Sequence, residues 1–159
     1  MPRVDYAFLA DYVRLETGVA HVIAAGIDTV YAAEVPTGHN LALVFRLTFS
    51  RQECGRPHRV EILFEGEDGD RLAHLSSIVT PERTEDLPVH WRQGYLSGLN
   101  FGVPLPRYGV YDFVIMVNDE ERGRVVLRVV PREQPQDVAD ELEEEPPGDG
   151  EQPGPADAE

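Results

Sequence analysis

Alternating apolar and polar residues mark most of this chain as β-strands. In the run 59–65, three apolar residues fall on one face, and three of the four positions on the other face are charged. A period of two predicts a strand with one buried face. The Asp68-Gly69 pair that follows is a strong hairpin signal, because a tight turn needs positive φ angles. We therefore expect Arg71 to Val79 to return antiparallel to the first strand.

The same alternation recurs along the rest of the chain. It predicts a strand over Leu41 to Phe49 and, near the C-terminus, a hairpin that turns at Asn118 to Glu120. The first thirty residues predict two further strands, Val4 to Leu15 and Val19 to Val30, which are apolar on both faces as central strands are. A short strand is expected near Tyr95 to Phe101.

These strands point to one fold class. No stretch shows a helical period over three turns, so the helices that would connect parallel strands are missing. About seven or eight antiparallel strands separated by short turns predict an all-β sandwich. The spacing Gly109-x-Tyr111-x-Phe113 resembles the tyrosine corner of immunoglobulin-like sandwiches. Phe113 stands where antibody domains have a cysteine, so the expected fold is immunoglobulin-like without being an antibody domain.

Charge is unevenly distributed along the 159 residues, whose formal net charge is −15. Residues 132–159 carry eleven acidic residues and one arginine, which leaves a net of −5 for residues 1–131. This acidic, proline-rich segment is expected to be a disordered tail, because it cannot bury enough apolar area to offset its ordering entropy. The chain has no lysine, and its negative field disfavours nucleic acid as a partner. We expect one folded domain, residues 1–131, followed by the tail.

Cysteine content and the N-terminus bear on the compartment. The single cysteine, Cys54, cannot form an intramolecular disulfide, which favours a reducing compartment. The first residues include Asp5 and Asp11 and lack the basic and apolar regions of a signal peptide. No window approaches the roughly 18 consecutive apolar residues of a membrane-spanning helix. The expectation is a cytoplasmic protein without a membrane partner.

Cys54 and His58 are the candidates for catalysis. They lie near two arginines, where a thiol could have a depressed pKa and act as a nucleophile. The chain lacks the local signature of cysteine hydrolases, the Gly-x-Ser-x-Gly elbow and the phosphate-binding loop. Its five histidines are 16 to 19 residues apart, without the paired spacing of a zinc site. We expect no catalytic residues, metal or cofactor, and a small hydrolytic or ligand-processing enzyme using Cys54 and His58 is the alternative.

Three segments are similar to a known family, namely Tyr6 to Arg14, Ala25 to Thr29 and Leu99 to Phe113. On these motifs, residues 2–130 resemble a bacterial family of small cytosolic proteins whose domain is of unknown function. The resemblance implies a β-sandwich domain. It carries no assigned activity, so it transfers no catalytic residue to this chain.

Two irregular segments are the expected binding surface. Their candidate residues are Arg51, Cys54, Arg56 and His58 in one and His90, Trp91 and Tyr95 in the other. Large aromatic residues and arginines are enriched in binding hot spots, and the segments would form one surface if they lie at the same end of the sandwich. The leading hypothesis is a non-catalytic binding or adaptor domain for a protein partner. A self-associating structural protein that pairs through a Val125 to Val130 edge strand is a further alternative.

Overall fold

Ten strands form the described part of the chain, which is residues 1–86, 88 and 90–132 of a computed structural model. They are β1 (Arg3–Ala10), β2 (Tyr12–Glu16), β3 (Val19–Ile23), β4 (Thr29–Ala32), β5 (Thr37–Phe49), β6 (His58–Gly66), β7 (Arg71–Val79), β8 (Gln93–Leu105), β9 (Gly109–Val117) and β10 (Glu120–Pro131). These residues contain no helix long and apolar enough to cross a bilayer. The expected tail lies outside the described residues, apart from Arg132.

Two sheets face each other across the core. One has three strands in the order β1-β5-β8, and the other has five in the order β4-β10-β9-β6-β7. Because side chains alternate along a strand, β5 sends Leu43, Phe45 and Leu47 into the same buried cluster as Phe113 and Ile115 of β9. The predicted all-β sandwich is confirmed, including the strand over 41–49 and the return strand over 71–79.

The N-terminal strands depart from the prediction. Val4 to Leu15 divides at Asp11 into β1 and β2, and Val19 to Val30 divides near Ala24 into β3 and β4. Ala24 has a φ of +50°, outside the extended region. None of the four strands is central, since β1 and β4 lie at sheet edges and β2 and β3 form a separate hairpin. β4 pairs with β10 in parallel, so the five-stranded sheet is mixed, and the strands number ten against the about seven or eight expected.

The β2–β3 hairpin forms a third layer over the outer face of the three-stranded sheet. Val13 packs with Ala42 and Val44 in a second apolar cluster. The Asn100 side chain accepts a hydrogen bond from the Val13 N–H (2.9 Å) and donates one to the Val13 carbonyl (2.7 Å). Gly98 leaves space for this contact, since a Cβ there would lie 2.9 Å from both Val13 methyl groups. Both faces of β5 are therefore buried along this part of the strand.

The predicted turns have the backbone geometry that their residues favour. Gly69 has a φ of +78°, and its N–H donates to the Gly66 carbonyl at 2.9 Å. Asn118 and Asp119 between β9 and β10 have φ of +52° and +67°, and a two-residue type I′ turn requires positive φ at both central positions. The two predicted hairpins are confirmed.

Tyr111 forms the predicted tyrosine corner. Its hydroxyl donates to the Arg107 carbonyl at 2.6 Å and accepts from the Arg107 N–H at 3.2 Å. The ring is buried and stacks with Phe64 of the neighbouring strand β6. This bond holds the chain that enters β9 against the core, as in other immunoglobulin-like sandwiches. The fold is therefore an immunoglobulin-like β-sandwich.

The strand over Val125 to Val130, expected to be an exposed edge, does not lie at the edge of its sheet. Residues Arg128 to Pro131 of β10 pair with β4, so the predicted Val125 to Val130 edge is already occupied over its last residues. β7 ends the five-stranded sheet and has β6 as its one strand partner among the described residues. The facing sheet ends at β8, which has 13 residues rather than the short strand expected.

Candidate functional site

A turn after β5 begins the candidate site. The N–H groups of Glu53 and Cys54 donate to the Ser50 carbonyl (2.9 and 3.2 Å), and the Glu53 carboxylate accepts from the Ser50 N–H and hydroxyl (both 2.7 Å). A serine followed three residues later by a glutamate is the pattern of a capping box, so the local sequence specifies this turn. Burial disfavours the Glu53 carboxylate, but hydrogen bonds from the N-terminal ammonium and from Ser50 outweigh burial and lower its pKa to about 2.

Backbone and arginine contacts join this turn to the irregular segment that precedes β8. The Gly55 N–H donates to the Pro81 carbonyl at 2.8 Å. The Arg92 guanidinium donates to the Thr48 carbonyl at 2.8 Å and lies 3.8 Å from the Glu53 carboxylate. The two predicted segments therefore lie at the same end of the sandwich. We use the name loop end for the surface formed by Arg51, Cys54, Arg56, Arg83 and Trp91.

Five of the seven residues singled out from the sequence meet on this surface and the groove beside it. Arg51, Cys54 and Trp91 line a small cavity of about 10 Å³, room for about one water molecule. Arg51, Cys54 and Arg56 also line a wider depression of about 630 Å³. Trp91 is 52% exposed, and together with Tyr95 it lines a groove of about 730 Å³ on the outer face of the three-stranded sheet.

The two histidines of the prediction do not join the others. His58 is buried, its Nε2–H donates to the Glu53 carbonyl (2.8 Å), and its Nδ1 accepts from the Asn118 side-chain amide (3.0 Å). Both ring nitrogens are thus occupied, and the expectation that His58 contributes to a binding surface is corrected: it holds the turn to the β9–β10 hairpin. His90 is exposed and lines neither the cavity, the depression nor the groove.

Cys54 does not have the environment of a nucleophile. The thiol is 8% exposed and donates a weak hydrogen bond to the Ser50 carbonyl at 3.4 Å. Burial and the neighbouring Glu53 carboxylate raise the pKa of the Cys54 thiol above its ordinary value and outweigh the arginines nearby. A reactive thiol needs the opposite shift. With His58 occupied at both ring nitrogens, neither residue of the proposed Cys54 and His58 pair is placed for general base or nucleophilic chemistry.

Metal binding finds no support in the residues that the structure describes. Across residues 1–86, 88 and 90–132, no three His, Cys, Asp or Glu side chains are grouped as a metal site requires. The loop end instead presents three arginines and Trp91, with Glu82 also lining its small cavity. Arginine and tryptophan side chains are suited to binding anions and flat apolar groups.

Three residues of this surface were not identified from the sequence. Arg83 packs over the first loop, since a Cβ on Gly55 would lie 3.9 Å from the Arg83 Cβ. Tyr6 and Arg46 line the groove beside Trp91. The sequence offers no local signal for these residues, because each meets the site through contacts between strands or loops that are far apart along the chain.

Most arginines of the chain are already neutralised. Eight of the fourteen take part in ion pairs, for example Arg124 with Asp112 at 2.5 Å and Arg107 with Asp68 at 2.6 Å. Among the described residues, Arg51, Arg56 and Arg83 form no ion pair. Arg3, Arg128 and Arg132 form none either, so the loop end holds three of the six arginines without an ion pair among the described residues. Glu82 lines the small cavity beside Arg51 and Arg83, whereas no acidic residue that the structure describes lines the wider depression.

Comparison with known proteins identifies a family. Residues 5–130 match the family described as "Family of unknown function (DUF6941)". No curated protein has a significant sequence match to the chain. Among solved structures, an immunoglobulin-like protein from Pseudomonas aeruginosa is 15% identical, with a TM-score of 0.41 and coverage of 82% of this chain and 97% of that one. The C-terminal domain of Wzt is 13% identical, with a TM-score of 0.45 and coverage of 83% and 75%.

Proposed function

The chain belongs to this family of unknown function, and on that premise we propose that it is a non-catalytic binding domain whose loop end holds a protein partner. The observation that carries the proposal is that Arg51, Cys54 and Trp91, from two segments about 40 residues apart in sequence, line one cavity. Loops presented by a rigid sandwich are a common way to build a binding surface.

The composition of the loop end favours a protein as the ligand. Trp91 is half exposed and lines the small cavity together with Glu82 and with Arg51 and Arg83. Among the described residues, these two arginines have no ion-pair partner. Tryptophan and arginine are the residues most enriched in binding hot spots, because they combine a large contact area with directed hydrogen bonds. The Cys54 thiol is buried, and both ring nitrogens of His58 are already hydrogen-bonded. Both observations argue against the enzyme alternative. We place the protein in the cytoplasm, since its single cysteine suits a reducing compartment.

The test compares two exposed aromatic residues in the full-length chain. Proteins captured from the host by the wild type should be retained by Tyr31→Ala and lost by Trp91→Ala, because Tyr31 is exposed on β4, away from the loop end. With the purified partner, Trp91→Ala should weaken binding at least about 30-fold, the loss typical of a hot-spot residue. Affinities for Trp91→Ala and wild type that agree within about twofold would refute the proposed surface.

Self-association is a second candidate function, favoured by one observation. Within the part of the chain that the structure describes, one edge of the nine-residue strand β7 has no strand partner, and its Leu75 and Ile78 are 47% and 65% exposed. An unpaired strand edge can pair with a second copy. Sedimentation of the wild type and of Ile78→Arg tests it. A dimer that Ile78→Arg dissociates supports pairing through β7, and a wild-type monomer at working concentration argues against it.

A further inference from the structure

The loop end concentrates positive charge in a chain whose net charge is −15. Arg51, Arg56 and Arg83 line its depression of about 630 Å³, and none of the described residues that line it is acidic. Like charges held close together repel one another, and a bound anion relieves that repulsion. The depression therefore has the composition of an anion site that no described side chain fills.

Hydrogen bonds of the two loop segments hold these arginines close together, although their like charges repel. Arg51 and Arg56 flank the turn that Ser50 and Glu53 stabilise. Arg83 comes from the other segment, which the hydrogen bond from the Gly55 N–H to the Pro81 carbonyl holds at 2.8 Å. The Glu53 carboxylate does not neutralise them, because it already contacts the N-terminal ammonium at 2.7 Å and Arg92 at 3.8 Å.

We propose that this depression binds carboxylates of the chain's own acidic C-terminal segment, which thereby covers the loop end. Residues 133–159 carry eleven acidic residues and no basic one. Arginine pairs with carboxylates through two parallel hydrogen bonds, so the charge and the chemistry of the two parts match. The proposal goes beyond the proposed function, since it concerns the same surface but requires no partner.

The length of the segment decides which of its acids can reach the depression. β10 begins beside Val117, at the end of the sandwich where β6 follows the loop. The strand is 12 residues long and ends at Pro131, at the opposite end of the sandwich. Twelve extended residues span about 40 Å, and a chain covers at most about 3.5 Å per residue. About a dozen residues are therefore needed to return, which brings the four acids of residues 149–159 within reach. The denser acidic block over 137–145 follows Pro131 too closely, so most of it cannot reach the depression and its last residues can only just do so.

Trp91 provides the readout, because it is the single tryptophan of the chain, is 52% exposed and lies beside Arg51 and Arg83 at the small cavity. We would measure acrylamide quenching of its fluorescence in the full-length protein at about 0.01 M and 1 M salt, where the Debye length falls from about 30 Å to about 3 Å. Salt should release the segment and raise Trp91 quenching by about twofold, as expected when a tethered segment at millimolar effective concentration occupies about half of the molecules.

Two full-length variants with equal changes in charge localise the contact. The variant D149N/E151Q/D157N/E159Q should show high quenching at both salt concentrations. Its matched control, D140N/E141Q/E143Q/E144Q, should keep most of the salt effect. Removing the receiving charges with R51Q/R83Q should abolish the salt effect, whereas R128Q, an exposed arginine of β10, should leave it unchanged.

The result that would overturn the proposal is salt-independent quenching in the wild type, or the same response in the two tail variants. These measurements use the purified protein alone, so they separate this proposal from the proposed function, which partner binding by Trp91→Ala decides. If both hold, D149N/E151Q/D157N/E159Q should bind the partner more tightly than the wild type does, because the competing segment is removed.

Discussion

Replacing Gly98 by alanine should destabilise the wild type and stabilise a protein in which Val13 is already alanine. Gly98 lies in β8 directly under the β2–β3 hairpin. A Cβ at this position would lie 2.9 Å from both methyl groups of Val13 and 3.4 Å from a methyl of Leu15. The first distance is well inside van der Waals contact, so the hairpin must shift. The second is tolerable for the end of a flexible side chain.

Two effects of opposite sign set the change that G98A makes in the free energy of unfolding. Overpacking a well-packed contact costs about 1–3 kcal/mol. Alanine in a strand is favoured over glycine by about 0.5–1 kcal/mol, because glycine loses more backbone entropy on folding. We therefore expect G98A to destabilise the wild type by about 0.5–2 kcal/mol. In the V13A background the clash is absent, and the same substitution should stabilise by about 0.5 kcal/mol or more.

Urea unfolding of the four proteins of this double-mutant cycle measures the coupling. The midpoints, analysed with a common slope, should give a coupling free energy of about 1–3 kcal/mol between positions 13 and 98. Hydrogen exchange should also show faster opening of β2 and β3 in G98A alone. Substitution effects that add within about 0.5 kcal/mol would refute the packing of the hairpin on β8.

Three further predictions test the corner, the turn and the thiol. Tyr111→Phe should cost about 1–2 kcal/mol, because a buried hydroxyl bond of 2.6 Å is lost, whereas Tyr108→Phe, with bonds of 3.3 and 3.4 Å, should cost less in the same urea assay. The pKa of Glu53 is lowered from 4.5 to about 2, so its contribution is present above pH 4.5 and lost as the pH falls toward 2. Wild type should therefore lose about 1–3 kcal/mol more than Glu53→Gln across that window in thermal melts, and equal losses would contradict the assignment. Cys54 should react with a disulfide reagent at pH 7 more slowly than free cysteine, since burial raises the pKa of its thiol; a faster reaction would revive the nucleophile hypothesis.

Local signals in the sequence determined most of the β-strands after residue 40, the two tight turns and the tyrosine corner. A strand period of two, a preference for positive φ at Gly69 and Asn118, and the spacing of Gly109 and Tyr111 each act within a few residues. The capping pattern of Ser50 and Glu53 also specified the turn that begins the candidate site. The segments that form the loop end were selected from the sequence on other signals, namely their irregular pattern between strands and their arginine and aromatic residues.

Only the tertiary structure decided how these elements assemble. The hairpin layer depends on Val13 and Asn100, which are 87 residues apart, and the parallel pairing of β4 with β10 joins positions about 100 residues apart. Arg83 is part of the site because its segment is hydrogen-bonded to Gly55. His58 is not part of it, because its ring nitrogens are hydrogen-bonded to Glu53 and Asn118. The sequence pattern records whether a side chain faces a core, but contacts between distant segments depend on how the whole chain packs, and those contacts decide which loop residues a ligand can reach.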